Sequence, residues 1–242
     1  MIRLQCQLAV VPMRREPSDK SEMTNQILFG ETMQLLDKNE KWYMVKLDHD
    51  GYEGWADKKQ LKIIAENTPE NISFADQLFV QIEKTGEQSI YIPAGALVGS
   101  GQSQNKEQLS SKPAEILKVA MMFLGAPYLW GGRTFMGMDC SGLTQIVMRI
   151  CGIDLPRDAY QQAEIGEVVT FIDECLSGDL AFFDNADGKI THVGIIFEDE
   201  KKERKIIHAS GQVRIDAIDH QGIYNHEIGE YTHQLRIIKR IS

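Results

Sequence analysis

Cysteine is scarce in this 242-residue chain: Cys6, Cys140, Cys151 and Cys175 form no CxxC pair, and no histidine lies near them at zinc-ligand spacing. Neither a disulfide framework nor a cysteine-based metal site is indicated, and no cofactor is expected. Cys6, Cys151 and Cys175 read as structural thiols, at home in a reducing compartment. A surplus of positive charge is also missing, since 26 Lys and Arg stand against 35 Asp and Glu for a net charge of -9. Nucleic acid is therefore a poor partner. The one dense basic run, Lys201-Lys202-Glu203-Arg204-Lys205, is interrupted by an acid between two apolar stretches and reads as a hairpin turn. No stretch approaches the roughly 18 apolar residues of a membrane span. The N-terminal segment Met1–Val11 has a short apolar run broken by polar residues, with no uninterrupted hydrophobic region and no small-residue cleavage site. A cytoplasmic protein is expected, the alternative being an exported one whose leader has been removed.

What is present is an ordinary globular composition, 43% hydrophobic and 25% charged, in a chain long enough for more than one core. Residues 1–64 read as short strands, at Gln26–Glu31, Met33–Leu36, Lys41–Leu47 and Gly54–Ala56, separated by turns such as Asp48-His49-Asp50-Gly51. That spacing suggests a small β-barrel with Trp42 and Trp55 in its core. Residues 65–110 carry a fainter β pattern, Leu78–Ile82 and Ile90–Ala96, followed by the Gly/Ser/Gln-rich linker Gly99–Asn105. Residues 111–242 open with helix-start signals at Ser111 and Pro113, an Ile116, Val119, Ala120, Phe123 face and a stop at Gly125. A second helix follows from Cys140 to Gly152, then a short one at Arg157–Ala163 and strands at Asp179–Phe183, His192–Phe197 and Ile206–Ser210. Helices first and strands later imply an α+β domain with an antiparallel sheet.

The chain is organised around Asp139-Cys140-Ser141-Gly142. The residues after it, Leu143, Ile146, Val147 and Ile150, repeat as one helical face, so Cys140 is expected in the first turn, where unpaired N–H groups and the helix dipole favour a thiolate. A cysteine nucleophile needs a base and a group to orient that base. Of six histidines, His49, His220, His226 and His233 lie in polar, turn-like surroundings and read as surface residues. His192 opens an apolar strand and His208 sits within the neighbouring one, so two adjacent antiparallel strands would present both imidazoles toward the Cys140 helix.

Tyr128-x-Trp130-Gly131-Gly132, Asp139-Cys140-Ser141-Gly142-Leu143, Gly178-Asp179-Leu180, His192-Val193-Gly194-Ile195 and His208-Ala209-Ser210, in that order, resemble the NlpC/P60 family of papain-like cysteine peptidases. Trp42-Tyr43-x-Val45, Asp50-Gly51-Tyr52 and Gly54-Trp55 resemble a bacterial SH3 domain, and residues 65–110 a second one with its linker. The resemblance implies a papain-like catalytic domain preceded by two small SH3-like barrels. It implies Cys140 as nucleophile, His192 as general base and acid, and His208 as the orienting residue.

The layout is similar to that of γ-D-glutamyl-L-diamino acid endopeptidases. This implies a murein stem peptide as substrate, cut after γ-D-glutamate and beginning with a free L-Ala. In such enzymes Tyr128 matches the tyrosine near the nucleophile, whose hydroxyl can bond substrate or steady the oxyanion, Trp130 is a further substrate-binding candidate, and Asp139, Ser141 and Asp158 match positions lining the pocket. A tyrosine and an acid come from the first domain, for which Tyr52 and either Glu22 or Glu31 are the candidates, Glu22 being preferred. A monomer with no membrane partner is expected. The rival expectations are a hydrolase of intact peptidoglycan and a non-catalytic wall-binding protein.

Overall fold

The structure, a computed structural model, describes residues 2–65, 72–83, 88–99 and 111–241. The chain folds as two units, Met1–Gln108 with Leu129–Phe135, and Leu109–Tyr128 with Met136–Ser242.

In the first unit, alternation of side chains makes the strands. Within β1 (Arg3–Cys6) Leu4 and Cys6 turn inward, and within β2 (Val10–Arg14) Val11 and Met13 do. With β3 (Met23–Leu28), β4 (Thr32–Lys38), β5 (Trp42–Leu47), β6 (Glu53–Asp57) and β7 (Leu61–Ile64) they form an antiparallel sheet of order β3-β2-β6-β5-β4-β1-β7. Ile27, Met33, Val45, Leu47 and Ala56 complete its core, against which Tyr43 and Tyr52 pack. Trp42 is buried as expected, but Trp55 is only half-buried: Gly54 and Ala56 take the inward positions of β6, and strand alternation turns the residue between them outward. β1, β2 and β7 carry no clear signal in the sequence.

The segment expected as a second barrel shows, among the described residues, two separate antiparallel ladders. β8 (Ile72–Phe74) pairs with β11 (Leu97–Gly99), and β9 (Phe79–Ile82) pairs with β10 (Ile90–Pro93). Most of the expected linker, residues 100–105, lies outside the described residues. A short strand β12 (Arg133–Thr134) also belongs to this unit.

The second unit begins with α1 (Pro113–Met121), whose Ile116, Val119 and Ala120 are buried. After β13 (Gly137–Met138) come α2 (Cys140–Ile150) and the short α3 (Ala159–Gln162). The sheet follows: β14 (Glu167–Val169), β15 (Leu180–Asp184), β16 (Ile190–Glu198), β17 (Arg204–Ser210), β18 (Gln212–Ile218), β19 (Gly222–Asn225) and β20 (Glu230–Arg240). Each strand from β15 to β19 pairs with the next, and β20 pairs with β15, β19 and β14, so six strands close on themselves while β14 extends one edge. The sequence predicts only three of these strands; β14 and β19 are short, and β18 and β20 mix polar with apolar residues and lack a long apolar run. The basic run sits at the β16–β17 turn as expected, with Lys202 at φ 63° and Lys205 paired to Glu203 at 2.7 Å. α2 packs against β16 and β17. No helix among the described residues is long and apolar enough to cross a membrane.

Candidate active site

Asp139 caps α2. Its backbone is extended, and its carboxylate accepts the Gly142 N–H at 2.7 Å, so the helix begins at Cys140. Cys140 is buried, with its Sγ 3.9 Å from the Thr191 carbonyl, one residue before His192. The placement matches the sequence reading; the expected acidity does not. Burial and the Asp139 charge push the Cys140 thiol up to about 12, outweighing the Val193 and Ser141 backbone N–H groups and the Arg157 guanidinium, which favour the thiolate. Cys140 therefore rests as a thiol, because withdrawal from water costs the anion more than the helix terminus returns.

Sheet register aligns His192 with its neighbours. Gly194 of β16 stands opposite His208 of β17, so His192, two residues away, meets His208 across the diagonal on one face. Ile206 stands opposite Asp216 of β18, which places Asp216 diagonally from His208 in the same manner. A methyl group on Gly194 would lie 2.9 Å from the His208 Cβ and 2.7 Å from Ile206, so glycine is what permits this approach.

The resulting chain of contacts fixes the protons. His192 Nε2 lies 2.8 Å from His208 Nδ1, and His208 Nε2 lies 3.0 Å from Asp216 Oδ2. Burial disfavours the Asp216 carboxylate, but hydrogen bonds from His208 and Arg214 outweigh it and hold its pKa below the ordinary value. An ionised Asp216 requires the proton on His208 Nε2. With that proton on Nε2, Nδ1 of His208 accepts from Nε2 of His192, and Nδ1 of His192 carries the free lone pair. Burial, followed by His208 and His233, drives His192 well below its ordinary pKa, so it rests neutral. The arrangement suits a neutral imidazole acting on a neutral thiol.

A second network anchors the start of α2. Arg157 bonds both Asp139 oxygens, at 3.0 and 2.5 Å, and the Ser141 hydroxyl at 2.8 Å, with all three residues buried. Gln162 bonds the Ser141 carbonyl at 3.1 Å and the Thr144 hydroxyl at 2.7 Å. Asp139 and Ser141, expected to line the substrate pocket, are thus engaged in holding the start of the helix that carries Cys140. Asp158 is half-buried at the N-cap of α3. Tyr128 is partly exposed; burial and the nearby Cys140 and Asp139 raise its hydroxyl to about 12, so it remains a donor.

The other four candidates, Trp130, Glu22, Glu31 and Tyr52, belong to the first unit. Trp130 donates its indole N–H to Glu22 at 2.8 Å, and Glu22 pairs with Arg15 at 3.0 Å. Glu31, the second choice of acid, is fully buried: it pairs with Arg133 at 3.0 Å and accepts the Leu28 N–H at 2.8 Å, a structural role. Tyr52 packs against the barrel core.

Sequence reasoning missed Arg157, Asp216 and Arg214, and it misread two histidines. His49, expected at the surface, lies 3.1 Å from Asp50 with its side chain largely covered. His233, also expected at the surface, lies in β20 and stacks on His192 with ring centroids 4.1 Å apart. Burial and His208 lower it to about 4, against the opposing pull of Asp216. His220 and His226 are exposed, as expected.

Residues 125–232 match the NlpC/P60 family and residues 13–61 the bacterial dipeptidyl-peptidase SH3 domain. The chain is 29% identical over 201 residues to the gamma-D-glutamyl-L-lysine dipeptidyl-peptidase of Bacillus subtilis, covering 70% of this chain and 68% of the relative. It is 26% identical over 223 residues to the protein of the same name from Bacillus cereus, covering 75% and 67%. A crystal structure of an NlpC/P60 family protein from Bacillus cereus superposes with a TM-score of 0.78 over 98% of this chain and 99% of that one, at 20% identity, which shows a shared fold. The chain thus carries an NlpC/P60 peptidase-family domain behind a bacterial SH3 domain of the dipeptidyl-peptidase type.

Proposed function

We propose that this protein is a cysteine peptidase that hydrolyses the γ-D-glutamyl–diamino acid bond of murein stem peptides beginning with a free L-Ala. It would act as a cytoplasmic monomer in peptide recycling, with domains divided near residues 64 and 110. The observation that carries the reading is the single line of contacts His192–His208–Asp216 beside the helix that begins at Cys140. The names of the Bacillus relatives support the substrate class.

In this mechanism Nδ1 of His192 takes the Cys140 proton as sulfur attacks the γ-carbonyl carbon. The proton leaves only during attack, because the resting thiol lies near 12. The tetrahedral oxyanion is received by the Cys140 backbone N–H, which has no intrahelical partner at the first helical position, and by the Tyr128 hydroxyl. Collapse passes the His192 proton to the leaving amine and leaves a thioester at Cys140. His192 then takes a proton from water, which attacks the thioester; the C–S bond breaks, L-Ala-γ-D-Glu leaves, and His192 returns the proton to the Cys140 sulfur. Asp158 is assigned to the substrate ammonium, with Glu22, Tyr52 and Trp130 as further substrate-binding residues.

The test is to incubate the protein with L-Ala-γ-D-Glu-diaminopimelate, its L-Lys counterpart, the N-acetylated forms of both and intact peptidoglycan, and to follow products by mass. Free peptides should be cut at least about a hundredfold faster than acetylated ones. A buried ammonium matched to a carboxylate is worth about 3–5 kcal/mol against a broken pair, and each 1.36 kcal/mol is tenfold. Equal rates on free and acetylated peptides, or brisk digestion of intact wall, would overturn the end-reading assignment.

A further inference from the structure

The third imidazole has no place in the hydrolytic scheme. His233 lies on β20, and a ring nitrogen from each of His192, His208 and His233 falls within 4.8 Å of the other two. The cluster is walled by Phe183, whose ring lies 5.8 Å from that of His192 and 5.9 Å from that of His233. Gly222 permits the close β19–β20 approach, since at φ +144° its Cβ position falls 1.8 Å from the His233 carbonyl oxygen.

We propose that His192, His208 and His233 form a three-imidazole site for a zinc-class divalent cation, and that its occupancy switches the peptidase off. The switch rests on the reading of His192 as the catalytic base. Two nitrogens on one tetrahedral zinc at 2.0–2.1 Å lie about 3.3 Å apart. His192 Nε2 and His208 Nδ1 are already 2.8 Å apart, so a cation between them requires an opening of only about 0.5 Å. The far nitrogens are supported as metal-bound histidines require. His208 Nε2 is held by Asp216 at 3.0 Å, making a carboxylate–histidine–metal arrangement, and His233 Nδ1 lies 2.9 Å from the Thr232 hydroxyl, leaving Nε2 to bind. Three nitrogen donors suit zinc rather than calcium or magnesium, which take oxygen.

Binding and catalysis compete for one proton. A cation on His192 Nε2 needs the lone pair there, so the proton that Nε2 donated to His208 relocates to Nδ1, the atom that must accept from Cys140. The imidazole keeps its proton count and loses its basic nitrogen.

The experiment is zinc titration of chelator-stripped protein without substrate, by calorimetry, on wild type, Cys140→Ala and His233→Gln, together with cobalt substitution of wild type. Wild type and Cys140→Ala should each bind one zinc per chain with equal affinity, while His233→Gln binds tenfold or more weakly. Asp216→Asn, which removes the carboxylate that supports His208 and leaves all three imidazoles in place, should bind about 10- to 100-fold more weakly and covers the case in which His233→Gln fails to fold. The cobalt spectrum should lack a thiolate charge-transfer band. Hydrolysis by stripped wild type should fall as the site fills and return on chelation. No binding, equal affinity in His233→Gln and wild type, or a thiolate band in cobalt protein would overturn the site, and saturation with undiminished hydrolysis would overturn the switch. Failure of the peptidase reading is seen separately, as no hydrolysis by the metal-free protein.

Discussion

Replacing Asp216 with Asn tests the proton relay without touching a residue that meets substrate. Asp216 Oδ2 accepts from His208 Nε2 at 3.0 Å and from Arg214 Nε at 2.8 Å, and Oδ1 accepts from Arg214 Nη2 at 3.0 Å. The amide keeps the shape but removes the charge and turns one acceptor into a donor. If the donor faces His208, the His208 proton moves to Nδ1, is donated to His192 Nε2, and the His192 proton must sit on Nδ1. The base is then lost in that population. A hydrogen bond to a charged group contributes about 1.5–3 kcal/mol, which corresponds to a fall of about 10- to 150-fold in kcat with KM little changed. Removing the negative charge also makes the paired imidazoles harder to protonate, so the acidic limb of the kcat profile should move to lower pH. The assay is steady-state hydrolysis of L-Ala-γ-D-Glu-L-Lys from pH 5 to 10, with circular dichroism as a control on folding. A kcat within twofold of wild type and an unmoved profile would refute the relay.

Three further outcomes follow from the same geometry. Iodoacetamide should alkylate Cys140 slowly at neutral pH and faster at each step to pH 10 without a plateau, because a thiol raised to about 12 is only about one part in 10^5 thiolate at pH 7; a plateau near pH 6 would mean a resting ion pair. Arg157→Ala leaves the Asp139 charge buried without its partner and should cost about 3–5 kcal/mol in urea unfolding, and an unchanged midpoint would deny that network its anchoring role. His208→Asn, whose amide can still accept from His192, should retain more kcat than His208→Ala, and equal, complete loss in both would speak against orientation as its role.

The helix that begins at Cys140 and the strands that carry His192 and His208 are legible in the sequence because their signals are local. Asp139 caps the helix three residues before Gly142, and the apolar face of α2 repeats at helical spacing. His192 and His208 lie in apolar strands that announce themselves. What the sequence hides depends on pairing between distant segments. His233 sits in a strand of mostly exposed and half-buried residues, and only the β19–β20 and β15–β20 registers bring it to His192. Asp216 likewise becomes a partner of His208 only through the diagonal of the β17–β18 hairpin. Arg157, in a polar stretch before α3, shows no sign in sequence of being buried against Asp139. The acidity of Cys140 is misjudged from sequence for a related reason: helix position is legible from spacing, whereas burial by β16 is not.

The most direct test of the central claim is to quench a rapid-mixed reaction of protein and L-Ala-γ-D-Glu-diaminopimelate in acid and map the covalent adduct by mass. One L-Ala-γ-D-Glu acyl group is expected on the peptide containing Cys140, released by hydroxylamine, present at a lower level in His192→Ala and absent from Cys140→Ala. Full turnover by Cys140→Ala, or an acyl group carried on any other residue, would contradict it.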